Sequence, residues 1–195
     1  MQGTNPEFDD QPLEDRPGFL AGFVAIAGKP NVGKSTLMNA LVGVKLSAVS
    51  RRPQTTRNEI KGILTTPGFQ IVFLDTPGLI QPGDRLNAFL LAEASKALED
   101  VDLLYHLVEP NDPNPLDDVS KPALAAIDCP KFLLINKIDR VGEDKRISEA
   151  VKALTDDYDE VLRISALNGI GLDDLLKKTV ARLPEHPPYY EEDEL

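Results

Sequence analysis

Eight consecutive residues, Gly28-Lys29-Pro30-Asn31-Val32-Gly33-Lys34-Ser35, match the pattern G-x-x-x-x-G-K-[ST] and stand between an apolar run and a helical period. Two glycines let the backbone turn successive N–H groups toward one point, and the helix that follows adds the partial positive charge of its N-terminus. The product is a ring of dipoles suited to phosphate. Lys34 can reach the β- and γ-phosphates of a nucleotide, Ser35 offers a small hard oxygen for Mg²⁺, and Thr36 follows as a further phosphate contact. A glycine-rich turn without a ligand is the plain alternative, and the strand before and helix after argue against it.

Three further clusters follow apolar runs. Asp75-Thr76-Pro77-Gly78 closes Ile71-Val72-Phe73-Leu74, where an Asp beside a phosphate loop would hold Mg²⁺ through water and the Gly78 N–H could approach a γ-phosphate. Asn136-Lys137-Ile138-Asp139 closes Phe132 to Ile135 and would choose the base. Guanine presents N1–H and N2–H₂ on one edge, and an ionised Asp139 can accept both, whereas adenine would set an acceptor against that charge. Asn136 would tie this loop to the phosphate loop, and the Lys137 stem would cover the base plane. Ser165-Ala166-Leu167 is weak alone, but one helix and one strand past Asn136 its Ala166 N–H would meet the guanine O6.

These loops need a scaffold, and hydrophobic periodicity supplies one. Strands are expected at Phe19 to Ala27, Ile60 to Thr65, Gln70 to Leu74, Leu103 to Val108, Phe132 to Ile135 and Val161 to Ile164. Helices are expected at Ser35 to Val42, Leu86 to Leu98, Val119 to Ile127, Ile147 to Leu154 and Leu172 to Leu183. The alternation predicts an α/β fold, a six-stranded mostly parallel sheet with helices on both faces, and such sheets bind ligands beyond the carboxyl ends of their strands. His106, inside the fourth strand, reads as a packed residue, and Cys129 as a small buried or helix-end residue.

The chain has 195 residues, a formal charge of −11, one cysteine and two histidines. That length suits one domain, and the single cysteine with so few histidines gives neither an internal disulfide nor a zinc-ligand set. The net charge disfavours long-range attraction to nucleic acid. Residues 1–17 read as a flexible acidic leader, in part a cloning remnant, residues 18–184 as the folded domain, and residues 185–195 as an acidic tail. No signal peptide or long apolar run is evident, so a soluble cytoplasmic protein is expected.

Val49-Ser50-Arg51-Arg52-Pro53-Gln54-Thr55-Thr56-Arg57-Asn58, together with the four motifs, resembles the Era family of bacterial GTPases. Gln-Thr-Thr-Arg is the first switch signature of the Era, EngA and TrmE group, and Leu183-Pro184-Glu185-His186-Pro187-Pro188-Tyr189-Tyr190 is similar to the segment where Era proteins leave their GTPase domain. The resemblance covers about Gly18 to Tyr190. It implies GTP and GDP as ligands with Mg²⁺, and a role in small ribosomal subunit assembly and ribosomal RNA maturation. It also implies an RNA-binding KH domain beyond the tail, outside these 195 residues. The membrane-surface association of that family finds no support in this chain.

The resemblance also shapes the expected chemistry. Thr55 or Thr56 would close over Mg²⁺ and the γ-phosphate, with both open as the ligand. Leu79 stands where many small signalling GTPases place a water-orienting glutamine, so intrinsic turnover should be slow. Asn31 matches a phosphate-loop asparagine that this group associates with a monovalent cation, which makes K⁺ a candidate cofactor and Lys34, Asn31, Thr55, Thr56 and Gly78 the catalytic set. The plain alternative for Asn31 is a hydrogen bond within its own turn. A nucleotide switch that hardly hydrolyses is the nearest rival. A P-loop ATPase or kinase conflicts with Asn136 to Asp139. Glu109, ending the fourth strand where many relatives carry Asp, is a departure from the pattern.

Overall fold

The computed structural model describes residues 18–43, 59–75, 101–116, 120–141 and 147–190, with backbone alone at 59–61, 75 and 123. In chain order the elements are β1 (Leu20–Gly28), α1 (Lys34–Val42), β2 (Glu59–Thr65), β3 (Phe69–Asp75), β4 (Leu103–Val108), α2 (Ser120–Ala125), β5 (Lys131–Ile135), α3 (Glu149–Lys152), β6 (Glu160–Arg163) and α4 (Leu172–Val180). The strands form one sheet in the order β2-β3-β1-β4-β5-β6. Every neighbouring pair is parallel except the β2–β3 hairpin. The expected α/β sheet of six strands is therefore present.

Alternation along the strands decides which element covers which face. Val24 and Ile26 of β1, Leu103, Tyr105 and Leu107 of β4, and Phe132 and Leu134 of β5 pack against Leu37, Met38 and Leu41 of α1 and Leu172 and Leu175 of α4. Ala25 and Ala27 of β1 and Leu104 of β4 turn the other way, onto Leu124 and Ile127 around α2, while Leu133 and Ile135 of β5 meet Val151 of α3. All six residues of β4 are buried, because the strand is covered on both faces.

Local chemistry trims the helices. A helix over Ile147 to Leu154 was expected, but Ser148 accepts a hydrogen bond from the Val151 N–H at 3.2 Å, a side-chain cap that starts the helix at Glu149. The Thr155 hydroxyl then donates to the Lys152 carbonyl at 2.8 Å, and the chain tightens into a 3-10 turn at Thr155–Asp157. The helix expected at Leu86 to Leu98 lies outside the described residues. Among the described residues no helix is long and apolar enough to cross a membrane.

The segment after α4 is not a free tail as far as Tyr190. Pro184 accepts from the Ala21 N–H at 3.2 Å, and the His186 N–H donates to Phe19 at 3.0 Å. Gln70, fully buried at the start of β3, then fastens the strap. Its Oε1 accepts from the N–H groups of Tyr189 and Tyr190 at 2.7 and 3.1 Å, and its Nε2 donates to the Tyr190 carbonyl at 2.8 Å and to the Thr65 hydroxyl at 3.0 Å. The Tyr189 ring lies between Phe23, at 4.4 Å, and His186, at 4.2 Å. A domain edge at residue 184 thus falls inside packed chain.

Two polar side chains sit within the β4 core. The Tyr105 hydroxyl pairs with that of Thr179 at 2.5 Å, and burial pushes it above its ordinary range. His106 is fully buried with Nδ1 against the Tyr158 hydroxyl. Burial holds its pKa down to about 4, partly opposed by the Pro115 backbone and the Asp112 carboxylate. Cys129 is half-buried between α2 and β5, and burial raises its thiol to about 11. A thiol held protonated in this way is unreactive.

Because the unfolded imidazole titrates near ~6.5, the unfolded chain binds the extra proton between that pH and about 4. The stability contributed by neutral His106 is present above the upper limit and is lost as pH falls through this window, by up to about 3 kcal/mol. Melting temperatures between pH 8 and 4 should therefore fall more steeply for the wild type than for His106→Phe, and parallel curves would refute the assignment. Gln70→Ala should cost about 2 kcal/mol in denaturant unfolding by stripping partners from four groups. It should also speed amide exchange at Tyr189 and Tyr190, and unchanged protection there would show that the strap is held otherwise.

Candidate functional site

After β1 the chain builds β2 and β3 on one side, then crosses to build β4, β5 and β6 on the other. The loop leaving β1 therefore sits at the point where strand order reverses, with the ends of β3, β4, β5 and β6 on the same sheet edge. Four of the five expected clusters converge there: Gly28 to Thr36, Asp75, Asn136 to Asp139, and Ser165 to Leu167.

The phosphate loop depends on glycine at both ends. At Gly28 φ is 153°, and a Cβ would stand 2.7 Å from the Leu107 carbonyl oxygen. At Gly33 φ is 106°, and a Cβ would stand 2.4 Å from Asn136 Nδ2, inside the bond that joins the two loops. Gly33 also starts α1 without a side-chain cap, so the backbone donors of the first turn face the loop rather than a hydroxyl or carboxylate. Ser35 and Thr36 lie exposed on that turn, beside the exposed Pro30. Lys34 folds over the loop with its Nζ donating to the carbonyls of Gly28 at 2.7 Å and Lys29 at 3.0 Å. Lys29 points elsewhere, pairing with Asp112 at 3.0 Å and donating to the Asn114 carbonyl.

Asn136 is the junction. It is 2% exposed, its Nδ2 donates to the Val32 carbonyl at 2.9 Å, and its Oδ1 accepts from the Ala166 N–H at 3.0 Å. Its own N–H bonds the Val108 carbonyl at 2.9 Å, so one residue joins the loops after β1, β4, β5 and β6. The Ala166 N–H, expected to meet a base carbonyl, is thus given to Asn136 in this structure.

Lys137 adopts φ 63° and its Nζ reaches both the Asn31 carbonyl and Glu109 Oε1, each at 2.5 Å. Asn31 itself has φ 63° and is exposed. Asp139 is exposed on the 3-10 turn Ile138–Arg140, and its Oδ1 accepts from the buried Ser165 hydroxyl at 2.5 Å. That bond aims the carboxylate, and Ser165 is fixed in turn by an antiparallel bridge to Ile170. Leu167 is 71% exposed at the rim.

Asp75 ends β3 paired with Ile26 and Glu59, and its side chain is not described. Thr55, Thr56, Thr76, Pro77, Gly78 and Leu79 lie outside the described residues. Among the described residues no three histidine, cysteine or acidic side chains gather as a preformed metal cluster. A donor set of one hydroxyl and one aspartate beside phosphates suits Mg²⁺, which takes much of its shell from water and substrate. Sequence reasoning missed Glu109 and Asp112 as partners of site lysines. Glu109 stood out as an unusual residue, whereas nothing in the sequence marked Asp112.

Residues 23–137 match the family described as 50S ribosome-binding GTPase. The GTPase Era of Thermoanaerobacter sp. (strain X514) is 44% identical over 179 residues, covering 90% of this chain and 59% of the relative. That of Lactobacillus helveticus (strain DPC 4571) is also 44% identical, over 91% of this chain and 59% of its own length. The chain thus spans about 59% of the length of these curated relatives. Among solved structures, Era in complex with MgGDPNP and nucleotides 1506–1542 of 16S ribosomal RNA gives a TM-score of 0.70 at 35% identity, covering 90% of this chain and 61% of that one. An Era variant from Aquifex aeolicus bound to GDP·AlF4⁻ gives 0.65 at 34% identity with the same coverage. With the family match running from β1 through the phosphate loop and the β3 aspartate to Lys137, this chain belongs to the 50S ribosome-binding GTPase family, and the relatives described above are Era proteins.

Proposed function

We propose that this chain is the GTPase domain of an Era-type switch, binding GTP with Mg²⁺ and hydrolysing it to GDP and phosphate. The observation that carries the reading is the Asn136 amide bonded to Val32 on one side and Ala166 on the other, with Asp139 aimed by Ser165 alongside. A phosphate cradle and a carboxylate able to read guanine N1–H and N2–H₂ are thereby held at one fixed separation. Two of the similar solved structures are Era proteins, one with MgGDPNP and one with GDP·AlF4⁻, which supports reading the cradle as a guanine-nucleotide site.

The chain's own residues do most of the chemistry by position. Backbone donors between Gly28 and Ser35 would line the anion, and the Lys34 ammonium, which donates to the Gly28 and Lys29 carbonyls, would turn onto phosphate oxygens. Ser35 and Asp75 would hold Mg²⁺, which when bound neutralises charge across the β–γ bridge. Thr55 or Thr56 and Gly78 would close on the γ-phosphate side. The Leu79 side chain has no polar atom to orient a water, so unaided turnover should be slow and depend on an added cation or partner.

The partner follows from the Era relatives. One of them was crystallised with a fragment of 16S ribosomal RNA, although the family model's description names the 50S particle. We favour small-subunit assembly, in the cytoplasm, with RNA recognition carried by a KH domain outside these residues. Residues 18 to about 190 would form the nucleotide-handling unit.

Two measurements test this reading. Asp139→Asn should lower GTP affinity about a hundredfold and raise affinity for xanthosine triphosphate, because an amide donates where the carboxylate accepted. Equal losses for both nucleotides would remove Asp139 as the base reader. Replacing Na⁺ by K⁺ at constant ionic strength should raise GTP turnover several-fold. Asn31→Gly, which keeps the positive φ accessible while deleting the amide, should abolish that difference and leave GDP affinity nearly intact. Identical rates in the two salts would leave a protein or RNA activator as the source of acceleration.

A further inference from the structure

Glu109, the first residue beyond β4, holds the lysine that bridges the two recognition loops. Its Oε1 lies 2.5 Å from Lys137 Nζ, and the same ammonium donates to the Asn31 carbonyl at 2.5 Å. Asn31 and Lys137 both have φ 63°, a left-handed conformation that asparagine adopts readily but that a lysine keeps where its surroundings hold it. The backbone that carries the carboxylate is anchored in turn. The Asp112 N–H closes a turn onto the Glu109 carbonyl at 3.2 Å, and Ser148 binds the segment to α3 through the Pro110 and Asp112 carbonyls, each at 2.8 Å. From this bracket Asp112 holds Lys29 of the phosphate loop, and Glu109 holds Lys137 of the base loop.

We propose that Glu109 is a positioning residue that makes base and phosphate recognition cooperative, by seating the Lys137 ammonium on the Asn31 carbonyl and so fixing the two loops against each other. The inference rests on the guanine-nucleotide reading above. A ligand that spans both loops gains from their preset separation, because the second half binds at high effective concentration once the first is seated. A ligand that touches one loop gains nothing. The Glu109 side chain is 44% exposed, so the ion pair contributes little to folding, and its effect belongs in nucleotide retention.

The experiment uses the 195-residue chain and a fluorescent GDP, with release followed by stopped flow and with guanosine and pyrophosphate as separate competitors. Glu109→Gln should release GDP roughly three- to tenfold faster while its affinities for guanosine alone and pyrophosphate alone stay within about twofold of the wild type. Glu109→Asp, which keeps the charge on a shorter arm, should release at an intermediate rate. Unchanged release by Glu109→Gln would overturn the proposal, as would a proportionate loss for all three ligands, which marks a prop of the fold. Should the glutamine variant fail to fold, Glu109→Asp against the wild type carries the same comparison. A wild-type chain that bound no GDP would sink the functional reading and this inference together, whereas tight GDP binding with an indifferent Glu109→Gln sinks this inference alone.

Discussion

The buried carboxamide of Asn136 is the interaction on which the rest of the site depends. An amide in a dry environment must satisfy both its donor and its acceptor, and here the partners are the Val32 carbonyl and the Ala166 N–H, from opposite ends of the domain. No other uncharged side chain of this length offers one donor group and one acceptor at the same planar end. Aspartate would set a second acceptor against the Val32 carbonyl, and leucine would orphan both backbone groups. The glycine at position 33 follows from the same contact, since a Cβ there would stand 2.4 Å from the amide nitrogen. Two motifs more than a hundred residues apart in sequence are thus parts of one packing arrangement.

Around that junction the electrostatics run against the character of the whole chain. The net charge is −11, yet Lys29, Lys34 and Lys137 all reach the loop Gly28 to Gly33 or its neighbours. Two of the three are held by carboxylates from the single segment after β4, and Lys34 rests on backbone carbonyls. Three ammonium groups are therefore gathered at one edge of the sheet, two of them balanced by carboxylates that pin them in place.

Strand positions were legible in the sequence because a strand buried on both faces shows as an unbroken apolar run, as Phe132 to Ile135 does. The motif residues were legible because backbone geometry restricts their types: few side chains suit positions such as Gly33. What stayed hidden was contact between distant side chains. Asp112 looks like any loop acid until the fold brings it to Lys29, and Gln70 looks like a polar interruption of a strand until the chain returns to it at Tyr189 and Tyr190. The short α3 escaped because periodicity reports the buried face of a helix and says little about where a Ser148 or Thr155 hydroxyl will compete for its ends.

The strap on Gln70 gives β3 a mechanical character. A parallel strand resists being drawn along its own axis, since sliding would shear every ladder bond to β1 together. At one end of this rod Gln70 grips the backbone of Tyr189 and Tyr190, and at the other end stands Asp75, beside the phosphate loop. Tension applied to the chain beyond Tyr190 would thus be borne first by three hydrogen bonds on one glutamine, and then by the strand that ends at the nucleotide edge. The exit of the polypeptide and the chemistry of the domain share a single stiff member seven residues long.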